Sequence, residues 1–214
     1  MHLRGVMKIL LGILAFFIGL AVLIGLYGVS TYNGLVNRSQ AVDAQWAQVQ
    51  NVYQRRADLV PNLVATVSGA ANFEKSTLTE ITAARASVGQ VKLDPSKAPT
   101  DAAQLAEFER AQGQLATALS RLLVVAERYP ELKATGNFAA LQSQLEGTEN
   151  RIAVERGRFN DVARDYNASV QRFPAVLIAG MFGFHPKAYF VAKPGAETPP
   201  EVKFDFGKKE PGKP

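Results

Sequence analysis

Three polar clusters hold the residues whose types and spacing could do chemistry. They are Arg55-Arg56-Ala57-Asp58 running into Leu59-Val60-Pro61-Asn62, Glu155-Arg156-Gly157-Arg158-Phe159-Asn160-Asp161, and Arg164-Asp165-Tyr166-Asn167. An enzyme built on them would work with carboxylates, arginines and hydroxyls alone. It would need an open cleft that collects Asp58, Glu155 and Asp165. Other chemistries lack their residues. Cysteine is absent, so disulfides, thiolate metal sites and cysteine nucleophiles are excluded. The two histidines are His2 and His185, neither in a Glu-x-x-His or zinc-type spacing. A Ser/His/Asp triad would have to use His185, which sits in a Gly-Phe-His-Pro sequence that reads as a surface turn. No phosphate-cradling or dinucleotide-binding glycine motif occurs. No cofactor, metal or small-molecule substrate is expected, and the net charge of +5 is too small and dispersed to argue for nucleic acid.

The elements that position these clusters are helices. In the first, apolar positions recur at Leu35, Val42, Trp46, Val49, Tyr53, Val60, Val64 and Val67, a coiled-coil-like seam. Pro61 lies inside it and should kink or locally break it near Leu59-Val60. Asn72 is expected to cap a second helix carrying Phe73, Leu78, Ile81, Ala84, Val88 and Val91. Residues 92–100, with two prolines, form a loop. Thr100 is expected to cap a third helix (Leu105, Phe108, Gln112, Leu115, Leu119, Leu122, Ala126, Tyr129) that stops at Pro130. Asn137 is expected to cap a fourth. Its seam is Phe138, Leu141, Leu145, Thr148, Ile152, Glu155, Phe159, Val162, Tyr166, Val170 and Phe173, ended by Pro174. The expected fold is all-α: an antiparallel up-down-up-down bundle over 30–174. The second helix is short, so the end of the bundle nearest the membrane should have three helices or bury a face against a neighbour.

On this seam Glu155 needs a cation, because an unpaired buried charge is costly. Arg55 or Arg56, on the antiparallel neighbour, is the natural candidate. The expectation is a structural polar layer of Arg55, Arg56, Asp58, Asn62, Glu155, Asn160, Asp165 and Asn167 that fixes register.

Ahead of the bundle, Ile9 to Val29 is an unbroken apolar run of about 21 residues, roughly 31 Å as a helix, which matches a bilayer's hydrocarbon core. It exceeds a signal-peptide core and lacks an A-x-A exit, so a single uncleaved transmembrane helix continuing into the bundle is expected. Arg4 and Lys8 in the short basic stretch 1–8 favour a cytoplasmic N-terminus and an extracytoplasmic bundle. After the bundle, segment 175–192 is apolar and should lie beside the membrane. Phe173, Ile178, Met181, Phe182, Phe184, Tyr189 and Phe190 are its expected contacts with lipid or a partner. Residues 193–214 read as a loose Pro/Lys-rich tail, in which Val202 to Phe206 alternates like a clipped-on strand.

Together these pieces resemble the LemA family. The matching stretches are Tyr32-Asn33-Gly34-Leu35-Val36, the run Arg55 to Val64 (RRADLVPNLV), Ala83-Ala84-Arg85, Glu149-Asn150-Arg151-Ile152-Ala153, Phe159-Asn160-Asp161, Asp165-Tyr166-Asn167, and Phe173-Pro174 leading to Gly183-Phe184. The resemblance spans about Tyr32 to Phe206. It implies a bacterial membrane protein with an N-terminal anchor and an antiparallel helical bundle, and no established enzymatic activity. The family is associated with the cell envelope, with membrane remodelling or organelle formation, and with other membrane proteins. It implies a short N-terminus outside, against the charge argument. Relatives with a lipid-modified cysteine in place of the helix would carry the bundle outside instead. The expectation kept is the bacterial inner membrane, with the bundle extracytoplasmic.

The favoured function is a membrane-anchored scaffold or adaptor that self-associates or binds another membrane protein, with the lipid bilayer as its constant partner. An envelope sensor using loop 92–100 and the far end of the bundle is one alternative. A carboxylate-based hydrolase is another.

Overall fold

In the computed structural model a single helix, α1 (His2–Ser68), joins the apolar run to the bundle without interruption. The structure describes the backbone of residues 2–70, 73–91 and 93–191, with side chains from Met7 onward. Along the apolar run the large side chains stand exposed, Phe16 at 67% and Leu23 at 65%. Above it one face turns inward: Leu35, Val42, Trp46, Val49, Tyr53, Val60 and Val67 are all buried. That face packs along α5 (Gly136–Gln171), which returns antiparallel. α2 (Lys75–Gln90) and α3 (Ala102–Ala126) form a hairpin against the pair, and α4 (Pro130–Lys133) is a single turn before α5. The expected all-α bundle is therefore present.

The core has two parts. The upper one gathers Val60, Leu63, Val67, Ile81, Leu115, Leu122 and Phe138, mostly aliphatic side chains from α1, α2, α3 and α5. The lower one is aromatic, with Trp46 touching Phe108, Phe159 and Phe190 at centroid distances of 5.6, 5.6 and 6.1 Å. Burying each such side chain contributes roughly 1.5–3 kcal/mol against chain entropy.

Several local expectations are corrected. Pro61 does not break α1, which runs on to Ser68. A proline cannot donate to the carbonyl four residues back, and Arg85 Nε from α2 bonds that Ala57 carbonyl instead, at 3.1 Å. α2 starts after Glu74, and Asn72 lies outside the described residues. Asp101, not Thr100, caps α3 by accepting from Ala103 N at 2.8 Å. α3 ends at Ala126, and Pro130 opens α4, where its missing donor costs nothing. Thr135, not Asn137, caps α5, which ends at Gln171 before Pro174 is reached. Phe173 is not on the seam but 77% exposed.

The short α2 leaves the lower bundle one helix short, as expected. Extended chain fills the gap. α6 (Ala175–Phe182) ends on Gly183 at φ 74°, a left-handed conformation that suits glycine, and the Phe184 amide bonds Ala179 O at 2.9 Å. The chain then turns back along α5 through residues 184–191. The tail 193–214, with its Val202–Phe206 alternation, lies outside the described residues.

Candidate functional site

The returning segment is held by two asparagines of α5. Asn167 Nδ2 donates to Lys187 O (2.8 Å) while its Oδ1 accepts from Lys187 N (2.7 Å). Asn160 repeats the arrangement on Phe190, at 2.8 and 2.9 Å. Each side-chain amide pairs with a peptide group as a neighbouring strand would. The spacing is geometric: seven helical residues rise ~10.5 Å and three extended residues ~10 Å, so two turns of α5 match three residues of strand. At about 1 kcal/mol net per bond, the four contribute on the order of 4 kcal/mol toward ordering the segment.

The same segment is tied on its other side to the loop between α2 and α3. Ala188 N donates to Pro99 O at 2.9 Å. Asp43 of α1 accepts from Ala98 N at 2.8 Å and from Lys187 Nζ at 3.3 Å, and Lys187 Nζ also donates to Ala98 O. Both Asp43 and Lys187 are largely buried, where an unpaired charge would be costly. Trp46 Nε1 donates to Asp94 O at 3.4 Å. Loop residues Ala98 and Pro99 are buried, so this loop closes the lower core and does not stand at the far end of the bundle.

Above the clamp lies the polar layer. Arg56 is 2% exposed, inside the bundle. It donates to Glu149 Oε1 (2.8 Å), to Gln112 O (2.9 Å) and to Gln112 Oε1, and its guanidinium lies 5.1 Å from the Tyr53 ring centre. Arg156 pairs with Glu109 of α3 and stacks 4.5 Å from the centre of the Phe190 ring. Tyr53 sits between the two arginines. Burial pushes its hydroxyl pKa up, and the charges of Arg156 and then Arg56 oppose that rise. The layer thus links α1, α3, α5 and the returning segment.

Of the eight residues expected in that layer, Arg56 alone sits in this network. Glu155 is corrected: it accepts from Gln45 Nε2 (2.7 Å) and from Arg158 of its own helix (2.8 Å), not from Arg55 or Arg56. Arg55 is exposed, as are Asp58, Asn62 and Asp165. Asp58 accepts from Gln54, one turn back, and Thr66 bonds the Asn62 carbonyl. Asn160 and Asn167 clamp the returning segment instead. Asp58 stands ~20 Å along α1 from Gln45, the partner of Glu155, and Asp165 ~15 Å along α5 from Glu155. The cleft that would collect the three carboxylates is not formed. The sequence reading did not place Gln112, Glu149, Glu109 or Asp43 in the site, and it named Arg156 in the second polar cluster without a place in the layer. Gln112 on an otherwise apolar α3 seam was the available signal.

The end of the bundle next to the apolar run carries the apolar surface. α6 packs beside the upper end of the apolar run, leaving a groove of about 380 Å³ lined by Gly25, Gly28, Val29, Tyr32, Ile178, Met181 and Phe182. Tyr32 makes edge contacts with Phe182 (4.9 Å) and Phe184 (5.6 Å). Of the residues expected to meet lipid or a partner, Phe173, Met181, Phe182 and Tyr189 are exposed. Ile178 and Phe184 pack partly on the core, and Phe190 is corrected to a core residue, 6% exposed against Trp46 and Phe159.

A family model described as LemA family matches residues 45–204, a range holding the arginine layer, both clamp asparagines and α6. Magnetosome protein MamQ of Magnetospirillum gryphiswaldense is 28% identical over 183 residues, covering 78% of this chain and 67% of that protein. MamQ 2 of Paramagnetospirillum magneticum is 27% identical over the same shares. Protein LemA of Metamycoplasma hominis is 23% identical over 160 residues, covering 75% and 68%.

Proposed function

The chain belongs to the LemA family, and from that premise we propose that it is a non-catalytic, membrane-anchored scaffold of the bacterial envelope that self-associates or binds other membrane proteins. The observation that carries this reading is the continuity of α1. One 67-residue helix supplies both an apolar span with an exposed surface and the inner wall of the bundle. No hinge separates anchor from domain, which suits a part that holds a surface at a set height above a bilayer. The conspicuous polar side chains Arg56, Arg156, Asn160 and Asn167 are engaged in bonds that join elements. The magnetosome names of two relatives fit a family associated with organelle formation.

In the orientation favoured by charge, the short N-terminus with Arg4 and Lys8 is cytoplasmic and the bundle lies outside the inner membrane. Purification of the full chain in mild detergent tests the scaffold reading, with particle mass and co-purifying proteins measured together. A multimer or a stoichiometric membrane-protein partner is expected. A monomer with no partner, both in detergent and after crosslinking in native membranes, would sink it.

A further inference from the structure

We infer that α6 is an interfacial helix, a second membrane attachment that lies in the headgroup–acyl boundary beside the transmembrane span. This deepens the proposed function and rests on Ile9–Val29 crossing the bilayer.

Depth comes from the groove. If the apolar run fills the hydrocarbon core, Val29 marks its outer edge and Gly25 lies ~6 Å inside it. Ile178, Met181 and Phe182 of α6 line one groove with Gly25, Gly28 and Val29, so that end of α6 sits at the depth of the last turn of the span. Interfacial helices bury their apolar face about 5–10 Å into this zone. The surface chemistry agrees. No side chain between Ala175 and Phe182 is polar. Phe173, Leu177 and Met181, at steps of four, stand 77, 62 and 77% exposed, with Phe182 beside them at 57%. Among the described residues such a patch has no counterpart on the rest of the bundle surface, where exposed apolar residues such as Val124 and Val154 stand singly, and it calls for an apolar environment. Exposed Arg172 and His185 bracket the helix, Arg38 stands on α1 above Tyr32, and Tyr32 lies where aromatic residues meet headgroups. The occupant is therefore lipid, with the span that passes through the same bilayer fixing it there.

The absence of cysteine makes the test direct. Single cysteines replace Leu177, Met181, Val22 or Val154 in the full chain, which is spin-labelled in phosphatidylethanolamine–phosphatidylglycerol liposomes. Accessibility to oxygen is compared with accessibility to a water-soluble nickel chelate, and the emission of Trp46, the sole tryptophan, confirms the fold of each variant. Labels at 177 and 181 are expected to favour oxygen as the one at 22 does, at a shallower depth. The label at 154, on exposed α5 surface, should favour nickel. If 177 and 181 behave like 154 while 22 reads as lipid, the inference is overturned and the span stands. If 22 is also water-accessible, both fall. Labels at 177 and 181 that are shielded from both reagents, and freed by dilution with unlabelled protein, would show a second copy on α6 and overturn the lipid assignment. Self-association through another surface would leave the expected result unchanged.

Discussion

Arg85 Nε donates to the Ala57 carbonyl across the α1–α2 interface, at 3.1 Å. That carbonyl is the one Pro61 leaves without its helical donor. A side chain from one helix thus completes the backbone of another, and α1 passes its proline unbroken. Arg85→Ala is expected to destabilise by about 1 kcal/mol, the net worth of one such bond at a partly exposed site. Pro61→Ala restores the backbone donor, so in that background the Arg85 substitution should cost much less. Thermal unfolding of the four combinations measures the coupling, and strict additivity would refute it.

The asparagine clamp predicts local release. Asn167→Ala or Asn160→Ala removes two bonds to the returning segment. Amide exchange around Lys187 to Phe190 should accelerate by about tenfold or more, at ~1.4 kcal/mol per tenfold, while α1 and α5 keep their protection. Asn160→Asp keeps the acceptor for Phe190 N but turns a carboxylate oxygen toward Phe190 O, and should be at least as disruptive as Asn160→Ala.

Arg56 is expected to respond asymmetrically. Glu149→Ala leaves a guanidinium inside the bundle with only its Gln112 bonds, and should destabilise by about 2–3 kcal/mol. Arg56→Met, which fills similar space without charge, should cost less than Arg56→Ala. Chemical denaturation that ranked Arg56→Met as the worst of the three would show that the charge itself stabilises the fold.

Alkaline pH should loosen the bundle through two tyrosines. Burial raises the hydroxyl pKa of Tyr53 above 10.0, and burial likewise raises that of Tyr166, opposed by its hydrogen bond with Ser39. A folded pKa above the unfolded one stabilises the neutral form. That contribution is complete below pH 10 and is lost as pH climbs through the folded value. Tm should therefore fall from about pH 10 upward, and Tyr53→Phe with Tyr166→Phe should flatten the decline. An unchanged slope in the double variant would point to other groups.

How much of this was legible in sequence depends on whether an interaction repeats. Leu35, Val42, Trp46, Val49 and Tyr53 announce a buried stripe because each repeats the demand of the one before. Glu155 was assigned the wrong partner because periodicity gives a face and no register. Antiparallel helices pair residues whose numbers sum to a near-constant, and Gln45 with Glu155, Trp46 with Phe159 and Arg56 with Glu149 sum to 200–205. Arg56 with Glu155 overshoots that by roughly two to three turns. The Asn160–Phe190 clamp joins a helix to extended chain, two patterns of different period, so neither foretells the other. Caps slipped by one or two residues because Thr100 and Asp101, or Thr135 and Asn137, satisfy the same rule.

With the apolar run crossing a bilayer as proposed, the unbroken course of α1 would make the protein a lever. Ser68 stands about 59 Å beyond Val29 along one rod, so the bundle has no freedom to ignore the attitude of its span. Bilayers of different thickness set different tilts for a helix of given length. A change of about 10° would sweep the far end of the bundle through roughly 10 Å, turning membrane thickness into lateral displacement at the surface furthest from lipid.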